Sequence, residues 1–232
     1  MASVATGEIT ERHPHGGDWL RDVVFGLNDG LVTTLVFIMA VSSVAHSQLV
    51  LIAFSELLAG GISMGLGGFL SARTAREVLQ NRIATERREI KEEPEEERAE
   101  LRAIYREKGL RGALLDRVVG QLTADEERWL RAMVRDELGV IEDQRDRPWR
   151  QGLIVGISFM LGAVVPILPF LTPLPRPQWW AFGFTALMAV LLGAMKARFT
   201  LKGPLRNGIE LLLIVGVGTL AGVGIGILLH AI

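Results

Sequence analysis

The 232-residue sequence contains no cysteine, so neither a disulfide framework nor a thiolate metal site is available to it. Its four histidines, His13, His15, His46 and His230, give no ligand spacing: two are in the N-terminal tail, one is in a short loop and one is near the end. No Glu-x-x-His motif accompanies its carboxylates, which argues against a soluble-type di-metal oxidase, and no enzymatic activity is expected. Residues 1–21 lack a short apolar core and a cleavage site, so no secretory leader is expected. Charge is also missing from most of the chain. Of the 25 Lys+Arg and 26 Asp+Glu, eighteen and nineteen fall between Ala72 and Arg150, which leaves the rest nearly charge-free. That is the composition of a membrane protein with one large polar insertion.

What is present is apolar length. Five runs reach spanning length: Val23–Val44, Leu49–Leu70, Leu153–Leu171, Trp179–Met195 and Ile209–Ile232. The expected fold is all-α, with five transmembrane helices and a cytoplasmic helical insertion between the second and third. The domains read as a tail (1–21), helices 1–2 (22–71), the insertion (72–148) and helices 3–5 (149–232). Lys and Arg gather in the tail, the insertion and the loop Lys196–Arg206, whereas the loop Ala45–Gln48 has none and Thr172–Gln178 only Arg176. The excess of cations on one side puts the N-terminus and the insertion in the cytoplasm and the C-terminus on the far side. Gly218, Gly222 and Gly226 recur every fourth residue, the spacing that lets helices approach closely in lipid. Trp179 and Trp180 mark an interface, and Pro166 and Pro169 should bend or end the third span.

The second span has no proline stop before Pro94, so one helix is expected from Leu49 to Glu93, 45 residues or roughly 65 Å, about twice a hydrocarbon core. Pro94 should turn the chain, so that a helix over Glu95–Lys108 folds back beside it. Thr123 with Glu126 reads as a capping box for a further helix ending near Gly139. Apolar positions at helical spacing (Leu101, Ile104 and Tyr105; Leu114, Leu115, Val118 and Val119; Trp129, Leu130, Met133 and Val134) make the insertion a small bundle rather than a linker.

Two E-x-x-E pairs flank the turn, Glu86/Glu89 and Glu97/Glu100, each on one helical face. Four converging carboxylates repel one another unless a cation sits among them, and oxygen ligands suit Ca, Mg, Mn or Fe. Met133 and Glu137, at i and i+4, could add a soft and a hard ligand. The plain alternative is a solvated acidic face balanced by Arg87, Arg88, Lys91, Arg98 and Arg102. Inside the spans a carboxylate costs several kcal/mol and is seldom kept without a partner or a task. Asp29 and Glu56 are such residues, and Met64 lies on the same broad side as Glu56. One aspartate and one methionine are too few for an ion, whereas a twofold axis would double both, a reason to expect a homodimer. Glu210 opens the last run and reads as a helix cap.

The motif GLNDG, the stretch SELLAGGISMGLGGFLSAR, the E-x-x-E insertion split by proline and the proline-bearing third span together resemble the vacuolar iron transporter family from Asp18 onward. The resemblance implies a dimeric, five-span, proton-coupled exporter of Fe(II) or related ions such as Mn(II), Co(II) and Zn(II). The ions are cargo, and no prosthetic group is implied. Its partners would be the bilayer, a second copy, metal ions and protons, with no nucleic acid. It would sit in the cell (inner) membrane of a bacterium or the vacuolar membrane of a eukaryote. The family's metal ligands fall on Glu86, Glu89, Glu97, Glu100, Glu137 and Met133, and its pore residues on Asp29, Glu56 and Met64. One departure is Met133-Val134, where plant-type members can have two adjacent methionines, which opens the cargo further to Mn(II). A metal buffer or sensor without flux is the alternative, separated from a transporter by whether metal crosses a sealed bilayer.

Overall fold

The computed structural model describes residues 17–42, 46–139, 147–197 and 203–230. Residues 1–16, 43–45, 140–146, 198–202 and 231–232 lie outside that set. The described residues form α1 (Gly17–Ala40), α2 (His46–Glu92), α3 (Pro94–Glu107), α4 (Gly112–Leu122), α5 (Glu126–Asp136), α6 (Pro148–Ile167), a 3₁₀ turn (Leu168–Leu171), α7 (Pro177–Lys196) and α8 (Pro204–His230). Five helices are long and apolar enough to cross a membrane: α1, α2, α6 with its 3₁₀ extension, α7 and α8.

The chain divides into two compact units, Met1–Phe69 with Trp149–Ile232, and Leu70–Pro148. In the first unit the core runs through Leu31, Leu35, Ile38, Phe159, Ala163 and Val215, all nearly or fully buried. Glycine sets its tightest approaches. A Cβ on Gly30 or Gly162 would run into a backbone carbonyl, that of Phe159 or Leu27 respectively. One on Gly222 would lie 2.5 Å from the Val36 carbonyl oxygen, and one on Gly226 2.8 Å from that of Ala40. The every-fourth glycines of α8 therefore pack it on α1, as small residues do where apolar burial no longer drives association. Pro166 lies inside α6 and Pro169 in the 3₁₀ turn that ends it.

The second unit has its own core of Ile90, Leu101, Leu115, Val119, Trp129, Leu130, Met133 and Val134. Leu114, expected to be inward, is exposed. The long helix ends at Glu92, and Pro94, whose fixed φ suits a first turn, opens α3. Two start signals differ from the sequence reading. Thr123 is the C-terminal cap of α4, and the cap of α5 is Asp125, whose side chain accepts from the Arg128 N–H at 2.9 Å. A carboxylate two residues later meets the free N–H groups better than the threonine, which α4 has already used. Glu210 is not a cap either, since α8 begins at Pro204. It sits in the second turn, 4.0 Å from the Lys196 ammonium.

Candidate metal centres

In the insertion, the turn between α2 and α3 brings the two glutamate pairs together as their spacing implies. Glu86 and Glu97 are 4% and 7% exposed, Glu89 is half-buried, and Glu100 and Glu137 are exposed. Burial raises the Glu86 carboxyl to about 8, and hydrogen bonding to Glu97 with the charges of Glu137, Glu97 and Glu89 adds to the rise. Glu97 is also raised, first by burial and then, against a lowering bond from Glu86, by Glu100, Glu89 and Glu93. Glu137 is raised by partial desolvation and by Glu100 and Glu97, despite its exposed surface. The five sequence-chosen glutamates therefore share one electrostatic site. Oε1 of Glu86 and Oε2 of Glu97 are buried and accept no hydrogen bond.

The neighbouring cations do not balance this charge. Arg87 pairs with Glu127 at 2.7 Å, Lys91 with Glu126 at 3.1 Å, Arg98 with Glu95 at 3.1 Å and Arg88 with Glu92 at 3.8 Å, while Arg102 pairs with Asp116. Among the described residues none of Glu86, Glu89, Glu97, Glu100 and Glu137 forms an ion pair. The cations that a balanced acidic face would use are thus paired with other carboxylates. The carboxylates are gathered without being closed, since no three His, Cys, Asp or Glu side chains among the described residues already form a metal-holding group. Met133, one turn before Glu137, is wholly buried in the apolar core.

In the spanning unit Asp29, Glu56 and Met64 are each half-buried. Thr33, one turn after Asp29, hydrogen-bonds its carboxylate, and Asp29 and Glu56 are within Coulombic reach of each other. Thr34, fully buried on α1, donates to Glu56 Oε2 at 2.8 Å. Met64 packs at the margin of the core. The sequence reading missed both threonines. For Thr33 the signal was available, because a hydroxyl one turn after a carboxylate in an apolar run is its nearest donor, whereas Thr34 meets a carboxylate on another helix, which no local pattern encodes. It also missed Asp22, 8% exposed, which accepts from Gln151 Nε2 at 3.3 Å and so ties α1 to α6.

Comparison with known proteins adds to this geometry. The model of the VIT family matches residues 20–227. Vacuolar iron transporter 1 of Oryza sativa subsp. japonica is 33% identical over 218 residues, covering 92% of this chain and 86% of that protein. Vacuolar iron transporter 1 of Arabidopsis thaliana is 33% identical over 205 residues, 87% of this chain and 82% of the relative. Vacuolar iron transporter 2 of Oryza sativa subsp. japonica is 31% identical over 221 residues, with coverages of 94% and 90%.

Proposed function

The chain belongs to the VIT family and is a multi-pass membrane transporter of metal ions, not an enzyme, and from that premise we propose that it is a proton-coupled antiporter exporting Fe(II), with Mn(II) and Co(II) as related cargo. The observation that carries the reading is the unbalanced glutamate cluster. Five carboxylates share one site, every flanking cation is held elsewhere, and two buried oxygens lack partners. Such a site is built for a cation of hard or borderline character. Glu86, Glu89, Glu97, Glu100 and Glu137 would capture ions from the cytosol, with Met133 supplying sulfur if its core position opens.

The path through the membrane is assigned to Asp29, Glu56 and Met64. Half-exposed carboxylates on spanning helices are costly against lipid, which supports a second copy covering them and a path at a twofold interface. The Lys and Arg distribution supports a cytoplasmic N-terminus and insertion. The test is metal uptake into inside-out vesicles with competing Fe(II), Mn(II), Co(II) and Zn(II) under an imposed pH gradient. Metal flux that drives proton counter-flow supports the proposal. Metal that binds without crossing the bilayer makes the protein a buffer or sensor.

A further inference from the structure

Beside the glutamate cluster lies a buried carboxylate that the proposed function does not use. The Asp136 side chain is 8% exposed and closes the last turn of α5. Tyr105, the only tyrosine in the chain, donates its hydroxyl to Asp136 Oδ2 at 2.8 Å. Lys108 Nζ lies 2.6 Å from Oδ1, and Arg135 lies 3.2 Å from both oxygens. Burial alone would raise this carboxyl, but hydrogen bonds from Arg135, Lys108 and Tyr105 hold it well below the usual carboxylate range. Among the described residues the other ion pairs of this unit join side chains that are both at least 44% exposed, and such pairs contribute little. Asp136 differs in being buried and in gathering three donors, Tyr105, Lys108 and Arg135, on one carboxylate.

Its place makes it consequential. Tyr105 and Lys108 stand at the end of α3, the helix that carries Glu97 and Glu100. Glu137 follows Asp136 directly and is the exposed C-terminal cap of α5, its N–H donating to the Met133 carbonyl at 2.8 Å. Two residues on, Gly139 takes a left-handed φ of 66°, a conformation common just beyond a helix end. A helix end of this kind frays unless it is tied, and Asp136 is the side chain that ties it.

We propose that Asp136, held by Tyr105 and Lys108, is a positioning residue that sets Glu137 against Glu97 and Glu100 and so determines how tightly the cluster holds a divalent cation. It also keeps Lys108 and Arg135 off the glutamates, where either would compete with the ion. This inference rests on the reading of the cluster as a metal site. A supporting group of this kind is typically worth about 10–100-fold in metal affinity.

The test titrates Mn(II) into the detergent-solubilised full chain and follows the sites that Glu86→Gln removes. Asp136→Ala should weaken them about 10-fold or more with helical content unchanged, since the cations it releases are at the surface. Asp136→Asn keeps an acceptor for Tyr105 and should recover part of that loss, which also guards against a folding defect. The decisive readout is the double variant. If Asp136 acts through Glu137, then Asp136→Ala adds little to Glu137→Gln, whereas independent effects multiply. Multiplying losses, or an Asp136→Ala affinity within about twofold of the parent, overturns the positioning role while the metal site stands. Full retention of binding in Glu86→Gln and Glu137→Gln alike overturns the site and the inference together.

Discussion

The hydroxyl of Thr34 on α1 donates a 2.8 Å hydrogen bond to Oε2 of Glu56 on α2. Thr34 is fully buried, whereas Glu56 is half-buried. The bond fixes one oxygen of Glu56, and on the proposed path the other would face the cation or proton. Interhelical bonds in membranes average about 0.6 kcal/mol and reach about 1.7, so its loss should not unfold the chain. Thr34→Val is therefore expected to lower the melting temperature slightly while cutting metal flux in proteoliposomes severalfold, with Thr34→Ser near the parent. Equal flux in Thr34→Val and the parent would mean that Glu56 needs no orientation.

Glycine contacts predict an asymmetric pair of alanine variants. A Cβ on Gly30 would strike the Phe159 backbone, which cannot rotate away, whereas one on Gly183 meets nothing within 4 Å. Gly30→Ala should separate α1 from α6 and reduce the yield of folded protein. Gly183→Ala should be neutral or stabilising by roughly 0.4–1 kcal/mol through the unfolded chain. Thermal unfolding in detergent checks both, and a Gly30→Ala protein as stable as the parent would contradict the packing described.

Much of this was legible in the sequence because lipid leaves few choices. Uninterrupted apolar length fixed the five spans, and Pro94 fixed the turn that joins Glu86 to Glu97. Caps were less legible. Thr123 and Asp125 are both good cap residues two positions apart, and only the end of α4 decides between them. Pair identities were illegible for a different reason. Arg87 is adjacent to Glu86 in the sequence, yet its partner is Glu127, forty residues on, and no local pattern encodes that choice. The difference between a balanced acidic face and an unbalanced site lay in those pairings.

The cluster also predicts a pH dependence. Glu86 has its carboxyl raised from 4.5 to about 8, chiefly by burial, so the folded state binds a proton there that the unfolded state has released. Stability from this group is complete below about 4.5 and is lost as the pH rises through about 8. Between pH 6 and 8.5 the insertion's unfolding transition should move down in temperature, and Glu86→Gln, which stays neutral, should flatten that slope. Mn(II) should restore stability most at the upper end, where it replaces the lost proton, and its apparent affinity should rise with pH. A transition independent of pH in the parent would exclude a shared proton in the cluster.

The spanning residues predict a separation of binding from transport. Asp29 is half-buried on α1 with Thr33 as its donor, no cation pairs with it among the described residues, and on the proposed mechanism its carboxylate would exchange a proton for a metal ion. Asp29→Asn keeps the shape and removes that exchange, because an amide neither binds nor releases a proton in this range. Metal flux and proton counter-flow should therefore vanish together, while Mn(II) binding at Glu86 and Glu97 stays at its parent value. Met64 offers a polarizable sulfur, which favours Fe(II), Co(II) or Mn(II) over Mg(II) and Ca(II). Met64→Leu keeps the apolar volume, so flux should persist while discrimination against Mg(II) and Ca(II) erodes. Proteoliposome exchange with internal pH dye and competing ions reads all of these at once. Parent-rate exchange of metal for protons in Asp29→Asn would remove Asp29 from the coupling step and leave Glu56, the carboxylate that Thr34 orients, as the group that must carry it.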